Sequence, residues 1–168
     1  GNLREPASGI KRANIIITSK CPYNLSETTK NDFVRKINPN SDQKVFFTSI
    51  NYKNYVLGKY QLNHNKISKQ EVVLVTGIAD STTLENFLNK KNIIFNHLKF
   101  NDHHRYSKQD INLIKSKSKN KNIITTKKDY FKILEIENLE NLFYQEINIE
   151  FLFNDEKNFI KELNKFIK

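Results

Sequence analysis

Asp102, His103, His104 and Arg105 follow one another in the octapeptide FNDHHRYS, residues 100–107, of a chain with only four histidines in 168 residues. An imidazole is half-ionised near neutral pH, so it can take a proton from a hydroxyl or support a carboxylate that does. Arg105 could hold a phosphate oxygen in its forked guanidinium. Neighbouring side chains point in different directions, so a single purpose does not need both histidines. Two readings stay open: a solvated loop ordered by a histidine–Asp102 hydrogen bond, or a catalytic loop. A structural zinc site needs four ligands, and the lone Cys21 lies far away in sequence. A single cysteine also excludes an internal disulfide, which suits a reducing compartment.

The elements around this loop set its position. Apolar runs rich in β-branched and aromatic residues predict strands at 14–18, 44–50, 72–76, 96–100, 122–126 and 144–151. Between most of them the spacing is helical: Phe33, Val34 and Ile37 share a face in 26–38, Leu84, Phe87 and Leu88 in 81–91, and Ile111 and Ile114 in 107–118. A last helix carries Phe159, Ile160 and Leu163. Strand alternating with helix predicts an α/β fold, mostly parallel sheets in a three-layer α/β/α arrangement. The polar, tyrosine-rich stretch 51–70 breaks the alternation. It predicts an extended β linker between a partial first domain, 1–50, and a complete second, Rossmann-like domain, 71–168.

Three junctions in the second domain share a pattern, a hydroxyl followed three residues later by an acid: Thr82 and Glu85, Ser107 and Asp110, Thr126 and Asp129. Each resembles a capping box opening a helix. All three loops then lie at the carboxyl ends of parallel strands, where ligands collect in open α/β sheets. The histidine pair therefore belongs to the ligand edge, near helix amides that favour anions.

The formal charge is +10, yet the basic residues are 24 lysines, scattered, against four arginines. A solvated lysine face with attraction to anionic lipid fits this better than a nucleic-acid surface, which would cluster arginine with aromatics. No nucleic acid is expected as partner. No apolar run reaches the ~18 residues that cross a bilayer. Methionine is absent even at position 1, so the chain is expected to be the downstream portion of a longer protein.

Taken in order, GNLREPASGIKRANIIITSKCP, VTGIAD, LKFNDHHRYS and IITTKKD resemble the motifs of the tetraacyldisaccharide 4'-kinases, the lipid A 4'-kinases of Gram-negative bacteria. The family pattern runs G-x-L-R-E-P, L-K-R-A-D, V-T-G-I-A, F-x-D-H-H-x-[FY] and T-T-E-K-D. The resemblance implies a P-loop-kinase-like fold and ATP-dependent, Mg2+-assisted phosphorylation of the 4'-hydroxyl of a tetraacylated disaccharide 1-phosphate. The setting it implies is the cytoplasmic face of the inner membrane. It also implies a missing upstream half carrying the G-x-x-x-x-G-K-[ST] phosphate loop, a pattern that none of the four glycines here opens. The isolated chain is accordingly expected to be inactive. By motif, His103 with Asp102 would be catalytic, with His104 the more replaceable neighbour. Arg4, Lys11, Arg12 and Arg105 would hold substrate or phosphate, Lys20 would border the nucleotide, and Glu5 would lie near the metal. Asn14 and Lys127 depart from the family's aspartate and glutamate, and Lys127 reverses a charge at the ligand edge. The competing reading is an α/β module that binds an anionic ligand or nucleic acid without chemistry.

Overall fold

The computed structural model describes residues 7–67 and 70–167. Among the described residues, seven strands and six α-helices divide into two compact units, one formed by the described part of 1–51 together with 148–167, the other by the described part of Tyr52–Ile147.

In the second unit the burial pattern of β4 (Val72–Thr76) sets the architecture. All five residues are buried, and alternate side chains enter different cores. Val73 and Val75 pack with Ile111 and Ile114 of α4 (Lys108–Ser118) and with Tyr130 and Ile133 of α5 (Lys127–Leu134). Val72 and Leu74 pack with Leu84 and Leu88 of α3 (Thr82–Lys90) and with Ile67 of the short α2 (His64–Ile67). A strand buried on both faces between helices is the centre of a parallel sheet. Its order is β7 (Leu142–Phe151), β6 (Ile123–Thr126), β4, β5 (Phe95–Lys99), every pair parallel. The second half of β2 (Lys44–Gly58) lies against β7 and pairs antiparallel with β3 (Gln61–Asn63). Tyr55 meets Glu146 and Lys59 meets Glu140, so β2 and β7 run in opposite directions. The expected mostly parallel α/β sheet is what forms.

In the first unit, β1 (Ile15–Thr18) and the start of β2 are parallel, joined through α1 (Glu27–Ile37). Phe47, fully buried, packs on the side of Phe33 and Phe153, whereas Phe46 meets Phe151 and Phe159 edge-on. Neighbouring phenylalanines on one strand thus face opposite layers, α1 on one side and α6 (Glu156–Asn164) on the other. Exposed apolar residues are common in this unit, among them Ile17, Tyr23, Ile160, Phe166 and Ile167.

The units do not follow the expected boundaries at 50 and 70. Residues 148–167 join the first unit, because β7 continues past Ile147 and delivers Phe151, Leu152, Phe153 and Phe159 to Phe46 and Phe47. Residues 51–67 are extended at first, as expected, and they also supply side chains to the core. Val56 and Ile67 are fully buried, and Tyr52 stacks on Phe87 at 4.7 Å. The polar alternation of one long strand hid this.

Two histidines are built into the second unit. His64 Nε2 lies 2.8 Å from Gln145 Oε1, and Gln145 donates to the carbonyls of Lys53 and Tyr55 on β2. Burial, more than the nearby Lys91, holds His64 below the ordinary imidazole value, against the pull of Gln145. His97 is lowered in the same way by burial, opposed by Glu85 and helped by Lys99. The unfolded chain therefore binds these protons more readily than the folded one. Stability is expected to be flat above about pH 7.5 and to fall as pH drops through about 6.5, with a slope of up to ~1.4 kcal/mol per pH unit for each proton. Denaturant midpoints across that range check this, and His64→Gln should flatten the fall.

Candidate functional site

The carboxyl ends of β4 and β5 open into loops that lead to helices, β6 runs directly into α5, and one buried side chain ties the ends of β4 and β6 together. Asp129, on the first turn of α5, is fully buried. Its Oδ2 accepts the Gly77 N–H at 2.9 Å, from the loop after β4, and the Thr126 hydroxyl at 2.8 Å, at the end of β6. Thr126 in turn accepts the Asp129 N–H, which caps the helix. Asp129 Oδ1 and the Tyr106 hydroxyl are both buried beside Gly77. A methyl group on Gly77 would stand 3.1 Å from that oxygen, 3.2 Å from the hydroxyl and 3.3 Å from His104 Cβ. A side chain there would need these neighbours to give way by a few tenths of an ångström. Burial, reinforced by the Asp129 and Asp110 carboxylates, pushes the Tyr106 hydroxyl well up, so it stays protonated.

The loop after β5 carries the two histidines in different settings. His104 lies against Phe100 (4.7 Å) and edge-on to Tyr106 (5.0 Å), and its Nε2 is 3.1 Å from Asp110 Oδ2. Asp110 belongs to a complete capping box with Ser107. Burial would raise the Asp110 carboxyl, but hydrogen bonds from Ser107 and His104 outweigh it and hold the group below its usual range. His104 is thus bound into the scaffold. His103 has the opposite character: its side chain is 73% exposed and its backbone is left-handed, φ 58°. Asp102 Oδ1 accepts the His103 N–H at 2.9 Å, and Asp102 Oδ2 lies 3.7 Å from His103 Nε2. Lys128 Nζ stands 3.0 Å from His103 Nδ1, and Lys132 Nζ donates to the His104 carbonyl at 2.8 Å. An exposed imidazole flanked by a carboxylate and an ammonium can exchange a proton or orient an anionic oxygen.

Arg105 is exposed on the same loop. Lys11 and Arg12 end a 3-10 helix (Ala7–Arg12), and Lys20 follows β1 with φ 60°; all three are exposed and belong to the first unit. Arg4 and Glu5 lie outside the described residues. Lys127, which the sequence placed as a reversed charge at the ligand edge, holds its ammonium 5.5 Å over the Tyr144 ring.

Sequence reasoning missed three parts of this edge. Asp129 was legible as a helix cap, but not as a tie to Gly77, because that partner lies 52 residues away. The contacts of Lys128 and Lys132 with the histidine loop are likewise long-range and left no local signal. A polar chain also anchors the loop after β4: Thr76 Oγ1 lies 2.9 Å from His97 Nε2, Glu85 Oε1 is 3.5 Å from His97 Nδ1, and Ser81 donates to that oxygen at 2.6 Å. Thr82 was the expected cap of α3. Ser81 occupies the position instead, fully buried, and spends its hydroxyl on Glu85.

Asp129→Ala strips the acceptor from a buried N–H and a hydroxyl, and an orphaned buried donor costs about 1–3 kcal/mol. The variant should lose that much by urea denaturation, and Asp129→Asn, which retains one oxygen acceptor, should lose less. Equal midpoints for wild type and Asp129→Ala would remove the tie from the account.

Comparison with known proteins bears on the chain as a whole. The family model for tetraacyldisaccharide-1-P 4'-kinase, LpxK, matches residues 1–168. The tetraacyldisaccharide 4'-kinase of Flavobacterium psychrophilum is 39% identical over 171 residues, covering 100% of this chain and 49% of that protein. That of Flavobacterium johnsoniae is 35% identical over 169 residues, with the same shares covered. The crystal structure of the "apo" form of LpxK from Aquifex aeolicus in complex with ATP matches with a TM-score of 0.65 at 19% identity, covering 100% of this chain and 47% of that one. At that identity the likeness is one of fold. The chain spans about half the length of the curated relatives it matches. With the motifs in order and a family model matching from end to end, the chain belongs to the tetraacyldisaccharide-1-P 4'-kinase family.

Proposed function

We propose that this chain is the downstream half of an ATP-dependent kinase that phosphorylates the 4'-hydroxyl of tetraacyldisaccharide 1-phosphate in lipid A biosynthesis. The carrying observation is the division of labour in the histidine loop, within a family match over all 168 residues. His104 is spent on Phe100, Tyr106 and Asp110, which leaves His103 exposed beside Asp102 at the strand ends. In this reading His103 faces the sugar hydroxyl, to take its proton or to hold a carboxylate that does. Arg105 neighbours it as an anchor for an anionic oxygen.

The remaining roles follow the family pattern. Residues 1–50 would close the first domain, whose upstream part would bring the phosphate loop and cover the apolar surface around Ile17 and Phe166. Arg4, Lys11 and Arg12 would meet the lipid phosphate, and Lys20 the nucleotide. Among the described residues no three of His, Cys, Asp and Glu gather closely enough to hold a metal. They do not fit a Mg2+ site. Glu5 is proposed for it from the motif alone. No described helix is long and apolar enough to cross a membrane. Contact with the inner-membrane surface would rest here on lysine attraction to anionic lipid.

In the full-length enzyme, His103→Ala should lower kcat by roughly 10²–10⁴-fold with little change in the KM for ATP, as loss of a proton-handling group predicts. His104→Ala should cost less in kcat and more in thermal stability, since it empties an aromatic site and strips Asp110 of a partner. The reverse ranking would move the role to His104. Two near-silent variants would leave the loop as scaffolding.

A further inference from the structure

Lys128 and Lys132 stand four residues apart on α5, hence on one face of the helix, and both reach the histidine loop. Lys132 Nζ holds the His104 carbonyl at 2.8 Å, and Lys128 Nζ lies 3.0 Å from His103 Nδ1. An ammonium has three donors and no acceptor, so Nδ1 must accept. In a neutral ring the proton then sits on Nε2. That edge faces Asp102, whose Oδ2 is 3.7 Å from Nε2 and whose Oδ1 already binds the His103 N–H. The stem of Lys128 starts beside Asp129, whose buried carboxylate fixes the first turn of α5 against Gly77. The donor is therefore aimed from a fixed base.

We propose that Lys128 is a positioning residue: by donating to Nδ1 it fixes His103 as the Nε2–H tautomer. His103 then offers an N–H, and not a lone pair, to what approaches the loop. A donor at Nε2 suits an anionic oxygen, a carboxylate or a phosphoryl group. Of the two roles open to His103 it selects the holding of a carboxylate over direct acceptance of the hydroxyl proton. This assignment rests on the reading of His103 as the functional histidine.

The bond and the role are tested separately. With 15N-labelled histidine this chain gives four imidazole signal sets, and His103→Gln identifies one of them. At a pH where the ring is neutral, the expected pattern is Nε2–H with an Nδ1 signal displaced by a donor. Lys128→Met should move that Nδ1 signal, and Lys128→Arg, which keeps a donor, should move it less. An Nδ1–H ring in the wild type, or an Nδ1 signal indifferent to Lys128→Met, overturns the proposal. In the full-length enzyme Lys128→Met should lower kcat about tenfold, the scale of one hydrogen bond from a charged donor. The KM for ATP should be unchanged, and Lys128→Arg should recover most of the loss. Unchanged kcat in Lys128→Met alongside an impaired His103→Ala overturns the positioning role. A silent His103→Ala would instead sink the catalytic reading of the loop, while the Nδ1 signal still decides the bond.

Discussion

The buried carboxylate of Asp129 is the constraint on which the rest of the ligand edge depends. A charge taken out of water is tolerated only where hydrogen bonds replace its hydration, and here the replacements come from two different strand ends, Gly77 after β4 and Thr126 after β6. The interaction that satisfies the charge therefore also sets the spacing of the loops. Because α5 begins at that point, its exposed residues beside Asp129 inherit the same placement, which is how Lys128 comes to meet an imidazole on the neighbouring loop.

Around this tie the edge divides into a rigid floor and an exposed rim. The floor is aromatic: Phe100, His104 and Tyr106 pack together, and burial keeps the Tyr106 hydroxyl protonated. The rim is charged, with Asp102, His103, Arg105 and Lys128 facing solvent. Such layering is the usual way to hold a reactive group steady, since its rotamers are fixed from below by packing and its partners arrive from above. The polar chain Thr76–His97–Glu85–Ser81 serves the same end for the loop after β4, on the opposite face of the strand.

Much of this was legible in the sequence. The strands at 72–76, 96–100 and 122–126 and the helices between them follow from local periodicity, and the Ser107–Asp110 capping box is a three-residue signal that the structure forms as read. Local reading also separated the two histidines, since adjacent side chains cannot share a direction. What it could not reach were pairings set by topology. The tie from Asp129 to Gly77, the Lys128–His103 contact and the passage of β7 back to the first unit all join segments distant in sequence. Nothing in the composition of 51–69 distinguishes a spacer from an edge of the core; the burial of Val56 and Ile67 does.

The interleaving of the two units also has a consequence for how the chain is made. Within the first unit β1, α1 and the start of β2 come early, but the side chains that meet Phe46 and Phe47, namely Phe151, Phe153 and Phe159, are synthesised only after the whole of 52–147. The second unit is continuous in sequence and can close on itself as it emerges from the ribosome. The first must wait with part of its apolar surface open. The inserted unit, though later in sequence than β1 and α1, is the one whose residues are all present first.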